Sequence, residues 1–217
     1  MSINYNDMEQ VKNAVSYFKK RVFDHLAHIE CFIAGGAIRD YFSIGYAKGD
    51  IDVFFKNEYW YKKAFDELTI GKNCDIIHES SEAVMIKLFN CRIHLIKGHY
   101  YADQSKVITG ENAFDFTVAC ASIDHTGNFD CHETFFVDLA AKKLVINNLP
   151  FPLSTMQRVI RYVRKDFTIC NVGLLKIAKA IQTVNLDPNA YYDNPGDKKQ
   201  NSFEFYPDGT LRFMRID

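Results

Sequence analysis

No apolar run in this 217-residue sequence is long enough to span a membrane, so no spanning helix is expected. The opening residues, Met1-Ser2-Ile3-Asn4-Tyr5-Asn6-Asp7, lack the basic and apolar regions of a secretory signal. No Cys-x-x-Cys pair occurs. The six cysteines, Cys31, Cys74, Cys91, Cys120, Cys131 and Cys170, are scattered, several inside strand-like apolar runs where thiols pack as small hydrophobes. A reducing, cytoplasmic setting without disulfides is expected. His125, Cys131 and His132 lie close in sequence, but their spacing fits no common zinc site. An excess of one charge is also missing. The formal net charge is -1, which argues against a strongly electrostatic nucleic-acid coat protein and leaves room for a local basic groove. Internal repeats and low-complexity segments are absent as well.

What is present suffices for a globular chain. With 47% hydrophobic residues, a sizeable core is expected and global disorder is not. The length suits one large domain or a domain with a small appendage. The most informative stretch is Gly49-Asp50-Ile51-Asp52-Val53-Phe54, preceded by Ala34-Gly35-Gly36-Ala37-Ile38-Arg39-Asp40. A strand alternates its faces with period two, so Asp50 and Asp52 project to one side. Two adjacent carboxylates repel unless a counter-charge answers them. Mg²⁺ is the usual answer, held by one or two carboxylates plus substrate phosphates. Gly35 and Gly36 permit close backbone approach to an anion. Arg39 offers a planar fork of donors suited to phosphate. Together these residues point to phosphoryl or nucleotidyl transfer.

Elements can be placed around this block. Met8 to Ile29 shows helical spacing, with Asp7 as its cap. Cys31 to Ala34 reads as a buried strand, Ala37 to Phe42 as a short helix and Asp50 to Phe55 as the next strand. Glu58 to Leu68 reads as a helix capped by Asn57. Strands are expected at Cys74–Ile77, Ala83–Phe89 and Cys91–Ile96, with a tight turn at Phe89-Asn90-Cys91. Phe114 to Ala121 reads as helical, and Thr134 to Asp138 with Lys143 to Ile146 as a strand pair. After Pro150 and Pro152 come two helices, Thr155 to Lys165 with Ser154 as cap, and Leu174 to Val184. From Asn185 the composition shifts to Asn, Asp, Pro and Gly. The alternation around Asp208-Gly209 signals a C-terminal hairpin.

The order strand, diglycine, helix start, Asp-x-Asp strand resembles the head domain of the nucleotidyltransferase superfamily. The nearest resemblance is to the bacterial-type tRNA CCA-adding enzyme and poly(A) polymerase family. Asp115-Phe116-Thr117-Val118-Ala119-Cys120-Ala121 resembles that family's Arg-Asp-Phe-Thr-Ile-Asn-Ala-Leu segment. Val137-Asp138-Leu139 with Lys143-Leu144-Val145-Ile146 resembles its head-to-neck element. Ser154 to Arg164 resembles its Glu-Asp-x-x-Arg-x-x-Arg-x-x-Arg helix, followed by Lys165-Asp166-Phe167-Thr168-Ile169. The resemblance implies an α+β fold. A head of mixed β-sheet flanked by helices would span residues 1–148. A helical neck with the C-terminal hairpin would span 149–217.

The resemblance also implies chemistry. Asp50 and Asp52 would bind Mg²⁺, and two-metal catalysis would join a nucleoside monophosphate from a triphosphate to an acceptor hydroxyl, most simply an RNA or tRNA 3′ end. Gly35, Gly36 and Arg39 would hold the phosphates. Asp115 would face the ribose. Arg158, Arg161 and Arg164 would bind base and phosphates from the neck side. The sequence also departs from the family. The helix acid that reads the base in relatives is Thr155 here, its paired Glu is Ser154, and Arg158 is left without that acid. The arginine before Asp115 is Phe114, and the family Asn is Ala119. Where many relatives carry a further acid, this chain has His94. The chain also ends soon after the first neck helices, so a full tRNA clamp is not expected. Two alternatives stay open: nucleotidyl transfer to a protein or small molecule, and a catalytically degenerate nucleotide- or RNA-binding protein.

Overall fold

The computed structural model describes residues 5–70, 74–80, 82–110, 113–184, 203–205 and 211–213. Helix α1 (Tyr5–Arg21) leads through a 3₁₀ turn (Phe23–His25) into β1 (Cys31–Ala34). Then follow α2 (Gly36–Ile44), β2 (Ile51–Phe55), α3 (Glu58–Thr69), β3 (Asp75–Glu79), β4 (Ala83–Leu88) and β5 (Cys91–Ile96). After α4 (Lys106–Thr109) come β6 (Ala121–Asp124), β7 (Phe129–Cys131), α5 (Phe135–Ala140) and β8 (Lys143–Leu144). The residues after 148, which we call the neck for their place in the chain, comprise α6 (Pro152–Val163), β9 (Thr168–Ile169) and α7 (Asn171–Gln182), and β10 (Phe203–Phe205) pairs with β11 (Leu211–Phe213).

Seven strands form one sheet in the order β3-β4-β5-β2-β1-β6-β7. Only β2 and β5 run parallel within it; the other pairs are antiparallel. This is a mixed α+β fold. The period-two rule sorts the central strands between two cores. Cys31, Ile33, Ile51, Val53 and Phe55 enter the larger core, with Phe18 of α1, Ile38 of α2 and Leu68 of α3. Phe32, Ala34 and Phe54 enter a smaller core on the opposite face, with Ile96, Val107, Ile108 and Cys120. Asp52 shares that second face with Phe54. Several neck residues (Val159, Tyr162, Phe167 and Ile177) belong to the larger core.

The helix starts follow from local chemistry. Asn57 accepts a hydrogen bond from the Trp60 N–H at 3.2 Å and caps α3. Pro152 stands in the first turn of α6, where its missing N–H costs nothing.

Several elements differ from the sequence expectation. Helix α1 stops at Arg21, short of Ile29, and it begins before Asp7. The segment expected as a helix from Phe114 to Ala121 is a 3₁₀ turn (Thr117–Ala119) leading into β6. Every residue from Asp115 to Ile123 is buried, so apolar periodicity carries no information there. Residues Thr134 to Asp138 open a helix rather than a strand, because Phe135, Asp138 and Leu139 bury at helical spacing. β8 therefore pairs with β9, in parallel. Ser154 lies inside α6, not at its cap. The C-terminal strands pair Phe203 with Phe213, while the Asp208-Gly209 turn and the stretch from Asn185 lie outside the described residues.

Candidate functional site

The candidate site forms where β1, β2 and β5 meet, on the face of the smaller core. Antiparallel pairing sets Ile33 opposite Val53, so the register carries Ala34 level with Asp52 and the diglycine turn beside it. Gly35 adopts φ 84°, a left-handed conformation that suits glycine. A side chain there would also strike Phe114, whose Cζ lies 2.9 Å from the position of a Cβ. The Gly35 N–H donates to the Ala121 carbonyl at 3.0 Å. The amides that helix geometry leaves over at this turn therefore start at Gly36.

Parallel pairing of β2 with β5 sets Asp52 directly opposite His94. His94 Nδ1 lies 3.0 Å from Asp52 Oδ1, and its Nε2 lies 3.9 Å from Asp50 Oδ2. Arg92, two residues before His94 and on the same strand face, brings its Nε to 2.6 Å from Asp50 Oδ1. That contact is an ion pair without hydrogen-bond alignment, and Asp50 Oδ1 stays buried without a hydrogen bond. Asp50 itself sits just before β2 rather than within it. The two aspartates are thus close together, and this chain answers them with Arg92 and His94. Among the described residues, no group of three or more His, Cys, Asp or Glu side chains forms a ready-made metal cage. Two carboxylates, one with a buried oxygen that makes no aligned hydrogen bond, do fit a Mg²⁺ ion whose remaining ligands would be water and substrate phosphate.

Arg39 does not extend toward this mouth as a free arm. It is 8% exposed. Its Nε and Nη2 donate to Asp40 Oδ1 at 2.9 and 2.6 Å, and its Nη1 donates to the Tyr162 hydroxyl. Burial pulls its pKa down, but Tyr162 and Asp40 more than reverse that, so the guanidinium stays charged. Arg39 therefore ties α2 to the neck. Burial raises the Tyr162 pKa, opposed by Arg39 and Arg158, so its hydroxyl keeps its proton.

A second tie joins Asp115 to the neck. Asp115 is 3% exposed, and Arg158 Nη1 donates to its Oδ2 at 2.8 Å. Arg158 thus has a carboxylate from the head in place of the helix acid missing at Thr155. Thr155 Oγ1 instead donates to the Phe151 carbonyl at 3.1 Å. Ser154 Oγ is buried without a hydrogen bond. Arg161 and Arg164 are exposed, Arg164 one residue beyond the end of α6. Burial and the charges of Arg39, Lys48 and Arg161 lower the Lys165 pKa, with Asp40 opposing. The charge of Lys48, in the loop just before Asp50, is thus felt at Lys165.

Lys48, Arg92, Tyr162 and Lys165 are site residues that sequence reasoning missed. Period-two spacing from His94 could have found Arg92. Nothing in the sequence pairs Lys48 with Lys165.

A family model described as "Gabija anti-defense 2 family protein" matches residues 8–142. A curated relative, Gabija anti-defense 2 of Bacillus phage SPbetaL7, is 27% identical over 180 residues, covering 81% of this chain and 43% of the relative. The chain thus spans less than half the length of that relative. Among solved structures, a CCA-adding enzyme in complex with CTP is similar with a TM-score of 0.52 at 15% identity, covering 83% of this chain and 42% of that one. A tRNA nucleotidyltransferase complexed with a primer tRNA and an incoming ATP analog also reaches 0.52 at 15% identity, covering 78% of this chain and 50% of that one. The Thermotoga maritima CCA-adding enzyme complexed with tRNA reaches 0.50 at 16% identity, covering 83% and 43%. At these identities the likeness shows a shared fold alone, a mixed sheet flanked by helices like that of the nucleotidyltransferases.

Proposed function

The chain belongs to the Gabija anti-defense 2 family, and from the fold it shares with nucleotidyltransferases and the geometry of Asp50 and Asp52 we propose that it is a Mg²⁺-dependent nucleotidyltransferase. It transfers a nucleoside monophosphate from a nucleoside triphosphate to an acceptor hydroxyl, with an RNA or tRNA 3′ end as the first candidate acceptor. The relative's name supplies the proposed setting, opposition to the Gabija defence. One observation carries the reading: Asp52 on β2, with Asp50 just before that strand, stands level with a diglycine turn that opens a helix.

Mg²⁺, when bound, would neutralise the triphosphate and lower the pKa of the attacking hydroxyl. The chain's own residues do the rest. Asp50 and Asp52 would hold the metal, and Arg92 offsets the Asp50 charge beside them. Gly36 and the amide after it cradle phosphate at the start of α2. Arg161, Arg164, Lys48 and Lys165 supply positive charge for the phosphates. The Asp115–Arg158 pair borders the sugar and base. Arg39 positions α2 against the neck instead of touching phosphate. Positioning and charge stabilisation then lower the barrier.

The test is incorporation of a labelled nucleoside monophosphate into RNA, protein and small-molecule fractions with Mg²⁺. Asp50→Ala is expected to abolish transfer while the fold persists. Full activity in that variant would remove Asp50 from the reaction.

A second reading is favoured by the way Arg92 and His94 already answer both aspartates. In it the head binds a nucleotide without turning it over. Thermal stabilisation by nucleoside triphosphates with no transfer into any fraction would select this reading.

A further inference from the structure

Two cavities open at the end of the sheet where β2 and β5 begin. One, of about 490 Å³, runs between the end of α1, the loop after α2 and the β4–β5 turn. A second, of about 270 Å³, adjoins it and shares Tyr17, Ala47, Asn90 and Cys91 as lining. The two make one continuous groove.

Its charge is one-sided. Lys20, Arg21 and His25 line the outer part; Lys48 and Arg92 line the inner part. Among the described residues no Asp or Glu lines it, although the whole chain has a net charge of -1. Aromatic rings interleave with these cations. Arg21 stacks over the Tyr17 ring at 3.7 Å, and Tyr46 is half exposed. Phe89 is the strangest lining residue. It is 73% exposed, beside His25, and its backbone holds φ 52°, a left-handed conformation that disfavours a bulky residue. A tight turn alone would be served better by Gly or Asn. The groove's inner end is Arg92, which contacts Asp50.

We propose that this groove binds single-stranded nucleic acid and leads its end to Asp50. Cations tracking a backbone, with aromatic faces for bases, form the usual recognition surface for unpaired strands. The proposal deepens the nucleotidyltransferase reading by naming the acceptor as a strand and giving it a path. It does not depend on turnover.

The experiment is fluorescence anisotropy of a labelled ten-nucleotide single-stranded RNA on the intact chain, without nucleotide or metal, over a range of salt. Single-stranded DNA, duplex RNA and poly-glutamate serve as competitors. Lys20→Ala with Arg21→Ala is expected to weaken binding at least tenfold. It should also reduce the slope of log affinity against log salt by about 1.4, since each phosphate contact to a single strand contributes about 0.7. Phe89→Ala is expected to weaken binding roughly 5- to 150-fold with the salt slope unchanged, the signature of a lost stack. Lys142→Ala, remote from the groove, should change nothing. Unchanged binding in both groove variants would overturn the proposal. So would duplex or poly-glutamate competing as well as the single strand, the latter pointing to an acidic protein partner. Because no turnover is read, a silent transfer assay leaves a positive binding result standing, and lost binding leaves the Asp50 assignment standing.

Discussion

At the scale of single residues, the site is defined by what answers its negative charge. Asp52 faces His94, and Asp50 faces Arg92 and, at longer range, His94. A carboxylate at position 94 would put a third negative charge on the same face. His94→Asp should therefore lose about 2 kcal/mol of stability without metal, within the usual range for a disruptive point change. Mg²⁺ should restore much of that loss, because a ligand that binds only the folded state stabilises it. Thermal unfolding with and without Mg²⁺ checks this; equal midpoints in both conditions would show that these side chains do not gather a metal. Asp50 and Asp52 were legible in the sequence because strand alternation is a local rule. The sequence reads Arg39 as a phosphate-binding arginine and gives no sign of its partner on the neck. Only its distance to Tyr162, 123 positions away in sequence, decides that it ties α2 to the neck.

At the scale of elements, turns carry more information than strands. The Gly35 turn works because φ 84° and the nearby Phe114 ring both exclude a side chain. The β6–β7 turn depends on Asp124. Its carboxylate accepts from the Thr126 and Asn128 amides at 2.9 and 2.8 Å, and from their side chains at 2.7 and 2.9 Å. Burial alone would raise the Asp124 pKa, but these donors outweigh it and hold it below 3.8. Its contribution is therefore complete above about pH 4 and fades as pH falls through the lowered folded value. Asp124→Ala should cost about 1–3 kcal/mol at neutral pH, the range for lost hydrogen bonds to a charged acceptor. Urea titrations at pH 7 and pH 3 should show the variant's deficit shrinking in acid. A deficit that is the same at both would assign it to something other than the charge. β6 itself escaped sequence reasoning, since a run buried on all sides looks alike as helix or strand. α5 was misread as strand because its helical spacing is only one turn long.

At the scale of the whole molecule, head and neck are joined by one core and two buried polar ties. Tyr162 takes part in both kinds of contact: its ring packs on Phe116 and Phe167, and its hydroxyl receives the Arg39 donor. Tyr162→Phe keeps the rings and removes the acceptor, leaving a buried guanidinium donor short of a partner. The expected cost is about 1–3 kcal/mol. Because Val159, Tyr162 and Ile177 share a core with the sheet, head and neck should still unfold together. Circular dichroism and tyrosine fluorescence should trace the same transition; a separate early loss of the neck helices would contradict the shared core.

The sequence by itself determined the parts that local periodicity governs. These are the strand that carries Asp52, the glycine-dependent turn before it, the helix capped by Asn57 and the hairpin of β4 and β5. Tertiary structure alone decided which charges meet. His94 faces Asp52 because β2 and β5 run parallel in that register, and Arg158 of α6 finds Asp115 beside β6. Those pairings depend on how distant segments pack, and side-chain chemistry at short range cannot specify a partner that only folding brings near.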